Sequence, residues 1–179
     1  MPGSRVIRWQ FVAEPFYRPP LHLNPGSPLI EWFGAGKCSH VDTILSDDSP
    51  VRLGPPGWLY GARADRIGGR PSGVWSRPPD YAVFTYRCVA TIPVTDEQAD
   101  LFWRAEVEKF GMPYDTTAIW GFAAGRNWRE TDSWFCSEKQ IDSALRAGIV
   151  RPLPGPISKV PPPAAMSIIS QAAGVTFEV

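Results

Sequence analysis

Histidine and cysteine are nearly missing from this chain. There are two histidines, His22 and His40, so chemistry that depends on an imidazole must use one of them. The three cysteines, Cys38, Cys88 and Cys136, are odd in number and include no CxxC pair, which argues against both a disulfide framework and a zinc knuckle. Net charge is missing too. Eighteen Lys and Arg face eighteen Asp and Glu, so no overall field draws the protein to nucleic acid or an anionic membrane. No apolar run is long enough to span a bilayer, so no transmembrane segment is expected. Met1–Gln10 lacks the apolar core of a secretory signal, which places the protein in the cytoplasm at synthesis. A phage protein released by lysis or carried in a virion would read the same way.

What the chain does have is punctuation and aromatic bulk. Twenty prolines and sixteen glycines cut its 179 residues into short elements, and eight tryptophans are available to fill a core or line a groove. A chain of this size buries roughly 70% of its unfolded surface, enough for one domain without staples. We expect strands over Arg5–Val12, Cys38–Leu45 and Gly57–Arg63, and the strongest over Tyr81–Ile92. Gly68–Pro79 reads as loop. Ser27-Pro28 opens a short helix, Pro28–Phe33. Thr95 and Gln98 form a capping box for a helix that Gly111 ends. A second helix is expected over Trp134–Ala147, capped by Asp132 or Ser133 and stopped by Gly148. The Pro-rich segment after Val150 has room for a short helix past Pro163 and a last strand, Val175–Val179. Strands first and helices later suggest an α+β domain with an antiparallel sheet.

Cys136, in the run Trp134-Phe135-Cys136-Ser137-Glu138, falls in the first turn of that second helix. Unpaired N–H groups and the positive dipole end favour thiolate there, and helix N-termini or a neighbouring imidazolium can lower a cysteine pKa to roughly 3.5–7.5. The plain alternative is a small buried hydrophobe. His40 lies in Ser39-His40-Val41-Asp42 on a strand, where alternation puts Cys38, His40 and Asp42 on one face. A carboxylate beside a histidine can orient it and raise its basicity, the logic of a triad; on this reading Asp42 carries activity more than stability. A structural histidine is the alternative. Cys38 is a rival nucleophile without a helix N-terminus. A metal site built from Cys38, His40 and Asp42 lacks a nameable fourth ligand. Cys88, in the strongest strand, is assigned to the core. Tyr114, in Gly111-Met112-Pro113-Tyr114-Asp115, either packs on the core or lines the cleft before Cys136. His22, between prolines, is expected to be exposed.

The segments Ser39–Asp42, Gly111–Asp115 and Trp134–Glu138, in this order, resemble the circularly permuted NlpC-type papain-fold hydrolases, most closely their phage and prophage members. In that superfamily the histidine strand precedes the cysteine helix. Gly57–Arg63 is similar to the strand that follows the histidine, and the resemblance covers about residues 27–150, leaving 151–179 as a Pro-rich extension of a single domain. It implies a papain-like α+β domain, an antiparallel sheet packed on helices, with Cys136 and His40 facing across a cleft and Tyr114 nearby. It also implies hydrolysis or transfer of an amide or ester through an acyl-enzyme, with no metal or organic cofactor. Family peptidases cut peptide links of cell-wall peptidoglycan, and permuted relatives act on lipid acyl groups. Many members carry a polar third residue, often Glu, on the strand after the histidine. Here that position aligns to Gly61, so Asp42 is the candidate for the third role.

The resulting expectation is a thiol hydrolase acting on an amide in a peptide or similar acyl substrate. Cys136 is the nucleophile and His40 the base, Asp42 orients His40, and Tyr114 and Trp134 stand near substrate or oxyanion. Two rivals keep the fold. One is a lipid ester or thioester hydrolase or acyltransferase, favoured by an apolar groove fed by Trp120, Trp128 and Trp134. The other is an inactive phage binding or assembly module, which a missing side chain at Gly61 would favour.

Overall fold

A computed structural model describes residues 5–15, 17–18, 22–23, 36–116, 133–155, 157 and 160–179. The helix expected over Pro28–Phe33, the residues Trp120, Trp128 and Asp132, and the exposure expected of His22 all lie outside what is described.

The chain is α+β. Strands β1 (Arg5–Ala13), β4 (His40–Ile44), β5 (Leu59–Arg63), β6 (Gly73–Arg77), β7 (Tyr86–Val94) and β8 (Thr176–Glu178) form one antiparallel sheet in the order β6-β5-β4-β1-β7-β8. A two-residue ladder joins β2 (Tyr17–Arg18) to β3 (His22–Leu23). The three α-helices among the described residues are α1 (Asp96–Glu108), α2 (Cys136–Arg146) and α3 (Pro162–Ile169). Strand β1 is flanked on both sides, running from Arg8↔Ile44 to Val12↔His40 against β4 and from Arg5↔Val94 to Ala13↔Tyr86 against β7.

Alternation along the strands sorts side chains onto two faces. Ile7, Trp9, Phe11, Val41, Tyr60, Ala62, Val74, Cys88 and Ala90 join one buried cluster with Phe102 of α1 and with Phe135, Ile141 and Ala144 in or beside α2. Full burial of such side chains contributes roughly 2 kcal/mol each. Ile44, Leu59, Tyr81 and Val89 form a second, smaller cluster. The first cluster also takes Val160, Ala165 and Ile169, so the core extends beyond residues 27–150 in both directions, into β1 and into α3.

Two stretches differ from the sequence reading. Gly68–Pro79 is not all loop. Gly68 and Gly69, at φ 59° and 72°, make the tight turn whose flanking residues Ile67 and Arg70 exchange backbone hydrogen bonds at 3.1 Å, and β6 returns against β5. The glycines allow a turn that other residues resist, and the prolines around it mask a strand of five. Tyr81 is also not in the strong strand, which begins at Tyr86. The Pro78-Pro79-Asp80 run turns the chain first, with Tyr81 N–H donating to Pro78 O at 3.1 Å.

Helix α1 has both halves of its capping box. Gln98 N–H donates to Thr95 Oγ1 at 3.2 Å, and Thr95 N–H to Gln98 Oε1 at 3.0 Å. Helix α2 begins later than expected. Its N-cap is Phe135, not Asp132 or Ser133, and the Phe135 N–H donates to Glu138 Oε2 at 3.4 Å. Its end follows the expectation: Gly148 takes φ 65°, and Ile149 N–H donates to Ala144 O at 2.9 Å while Gly148 N–H donates to Leu145 O at 3.0 Å.

Candidate functional site

His40 opens β4, where Ser39 N–H donates to Val12 O at 2.9 Å and fixes the strand's entry beside β1. Two residues on, Asp42 shares its face. Their side chains meet, with His40 Nε2 2.8 Å from Asp42 Oδ1. The same imidazole is within hydrogen-bonding reach of the Cys136 thiol at the start of α2. With Nε2 engaged by Asp42, Nδ1 is the nitrogen left for sulfur. All three residues are nearly closed to solvent: Cys136 is 1% exposed, His40 7% and Asp42 1%.

Asp42 is held from its other side. Tyr81 Oη donates to Asp42 Oδ2 at 2.8 Å, and Arg63 donates to Tyr81 Oη at 3.1 Å. Arg63 is itself fixed by Asp65, at 2.9 and 3.1 Å, and by a buried ion pair with Glu14. A polar chain therefore runs from Cys136 through His40, Asp42 and Tyr81 to Arg63. Burial alone would raise the Asp42 carboxyl, but the His40 charge and hydrogen bond, together with Arg63 and Tyr81, hold it down at about 2. Burial lowers the His40 imidazole, yet Asp42 and Cys136 more than offset this and leave it raised. Burial, then the charge of Asp42, raises the Tyr81 phenol, which keeps its proton and serves as donor.

Gly61 explains its own missing side chain. A Cβ built there would lie 1.8 Å from Asp42 Oδ1. The pairs Thr43↔Tyr60 and Ile44↔Leu59 put Gly61 across from Asp42 when the register is continued by one residue. The Asp42 carboxylate occupies the space a third residue on β5 would fill.

A short parallel bridge joins Tyr114 to Trp134; it brings Tyr114 beside Cys136, whereas the Trp134 ring turns to Met112 and Lys109. Trp134 N–H donates to Pro113 O at 3.0 Å, and Asp115 N–H to Trp134 O at 3.1 Å. This sets the Tyr114 ring 5.8 Å from that of Phe135, the residue before Cys136. The Tyr114 phenol is raised by burial and by the nearby Cys136 sulfur, so it too keeps its proton. The Trp134 indole donates to Met112 Sδ at 3.1 Å, and Lys109 Nζ stands 4.7 Å from its ring centre. Cys38 and Cys88 are buried in the core.

The sequence reading thus named residues that the fold brings together at Cys136, His40, Asp42 and Tyr114. It missed Tyr81, Arg63 and Glu14. Only Tyr81 carried a usable signal, the Pro-Pro-Asp turn that should have detached it from β7.

No protein-family model matches the chain, and no curated protein matches it. A solved structure does: the crystal structure of the DUF1105 metalloprotein yiiX from Escherichia coli O157:H7 is similar at a TM-score of 0.55 and 15% sequence identity, over 96% of this chain and 94% of that one. At that identity the likeness bears on the fold alone.

Proposed function

We propose that this chain is a papain-like thiol hydrolase that cleaves an amide bond through an acyl-enzyme on Cys136. One observation carries the proposal: the His40 imidazole stands between the Cys136 thiol and the Asp42 carboxylate. Asp42 fixes the ring and its tautomer, and His40 takes the thiol proton as sulfur attacks the carbonyl carbon. The tetrahedral oxyanion is met by the Cys136 N–H, one of the donors the first turn of α2 leaves unpaired, and by the Tyr114 hydroxyl. Protonated His40 then delivers its proton to the leaving amine as the C–N bond breaks. Water, deprotonated by His40, attacks the thioester; the C–S bond breaks, the acid leaves, and the thiol is restored. A peptide link of peptidoglycan is the substrate class that the sequence resemblance favours.

The structural neighbour is described as a metalloprotein. Among the described residues of this chain no three His, Cys, Asp or Glu side chains group to hold a metal ion. A lipid ester or thioester is the second substrate reading. It is supported by the rings of Tyr114 and Phe135, 5.8 Å apart at the start of α2.

An activated ester tests the chemistry before the natural substrate is known. With p-nitrophenyl acetate we expect a burst of p-nitrophenolate stoichiometric with protein and an acetyl mass on Cys136, both lost in Cys136→Ala and His40→Ala. Acetylation spread over lysines with no burst would sink the proposal.

A further inference from the structure

Helix α2 is buried from Cys136 through Ile141, yet its buried surface carries Lys139, Gln140 and Ser143 rather than a purely apolar stripe. Buried polar groups need partners, and those partners fix position more sharply than apolar contacts do. Lys139 and Ser143 are spoken for by Glu106 of α1. Ser137 donates to Val160 O, ahead of α3, at 2.6 Å. Gln140 reaches the sheet. Its Oε1 accepts from Thr43 Oγ1 at 2.8 Å, and its Nε2 donates to Tyr60 O at 3.4 Å.

Those two contacts fall on one rung of the sheet, since Thr43 of β4 pairs with Tyr60 of β5. Thr43 follows Asp42 directly and points to the opposite face, toward α2. Gln140 lies one helical turn beyond Cys136, about 6 Å along the axis. A single amide therefore ties the helix that carries the nucleophile to the strand that carries the base and its carboxylate. An axial slip or a roll of α2 would break it.

We propose that Thr43 and Gln140 are positioning residues that set the distance between Cys136 and His40. The inference rests on the thiol–imidazole reading above. Apolar packing of Ile141 and Ala144 tolerates small slips that a hydrogen-bonded amide does not, and a misplacement of about 1 Å can cost about 100-fold in rate.

The test needs no substrate. Cys38, Cys88 and Cys136 are 1%, 2% and 1% exposed, so none starts with an advantage in surface exposure when their alkylation by iodoacetamide at pH 6 is compared. In the wild type, Cys136 is expected to label at least about tenfold faster than the other two. Thr43→Val, nearly isosteric, and Gln140→Met, which keeps length and loses both bonds, should each erase most of that advantage. Thr43→Ser, which keeps the hydroxyl, should restore it. Labelling of Cys38 and Cys88 should stay unchanged throughout. A wild type with no Cys136 advantage overturns the thiol–imidazole reading itself. A wild-type advantage that survives in either variant overturns the positioning role alone. So does a loss of advantage caused by faster labelling of Cys38 and Cys88, which would mark general loosening.

Discussion

Beside His40 there is room for one carboxylate, and Asp42 fills it. Gly61→Ala would put a methyl group 1.8 Å from Asp42 Oδ1, so the carboxylate must leave its bond to His40. We expect the acylation burst to slow about 100-fold and stability to fall by about 1–3 kcal/mol. Adding Asp42→Gly removes the clash but should recover neither the burst nor the melting temperature, because the carboxylate that pairs with His40 and accepts from Tyr81 is then lost. Asp42→Asn probes the charge. The sequence alone suggests an orienting residue of little structural weight. The structure instead shows Asp42 buried, paired with His40 and accepting from Tyr81. Asp42→Asn should therefore cost both: up to about 10⁴ in acylation rate, following the handicap of a wrong histidine tautomer, and about 2 kcal/mol of stability. Burst kinetics and denaturant unfolding measure the two, and normal unfolding would show that the polar chain behind Asp42 does not depend on its charge.

Helix α2 places Cys136, and its two ends differ in how they are fixed. At its C-terminal end, Gly148 is exposed at φ 65° with nothing near where a Cβ would go, so Gly148→Ala meets only backbone strain. It should cost about 1–2 kcal/mol, read by thermal melting. Gly155→Ala, equally open and without a positive φ, should be neutral. The sequence displayed that terminating glycine, as it displayed Thr95 and Gln98 at the start of α1, because such signals lie within a few residues of the end they mark. It also displayed the shared face of His40 and Asp42, since alternation along a strand is local. Its account of the N-terminus of α2 was poorer, because Phe135 offers no capping oxygen and the helix is held by bonds to distant elements. The same reason hid Tyr81 and Gln140. Their partners, Asp42 and Thr43, lie 39 and 97 residues away, and nothing in the local pattern names them.

Across the whole molecule, the site's charges should shape stability against pH. Asp42 titrates at about 2 in the fold against an ordinary 3.8, so its stabilisation, roughly 2 kcal/mol, is present above pH 4 and lost as pH falls from about 4 to about 2. His40 is shifted the other way. Its contribution is full below its ordinary 6.5 and is lost as pH rises through its higher folded value. Denaturant unfolding should show greatest stability between about pH 4 and 6.5, with Asp42→Asn flattening both limbs. Limbs that match the wild type would detach the site from the stability of the fold. Asp42 sits inside the sheet, with β1 between its strand and β7 and Gln10 paired with both Asp42 and Val89.

The shared space at Asp42 and Gly61 also restricts how such chains can change over time. The acid of this chain cannot pass from residue 42 to residue 61 by single substitutions that keep His40 paired with a carboxylate. A side chain at both positions collides, and one at neither leaves His40 without a carboxylate.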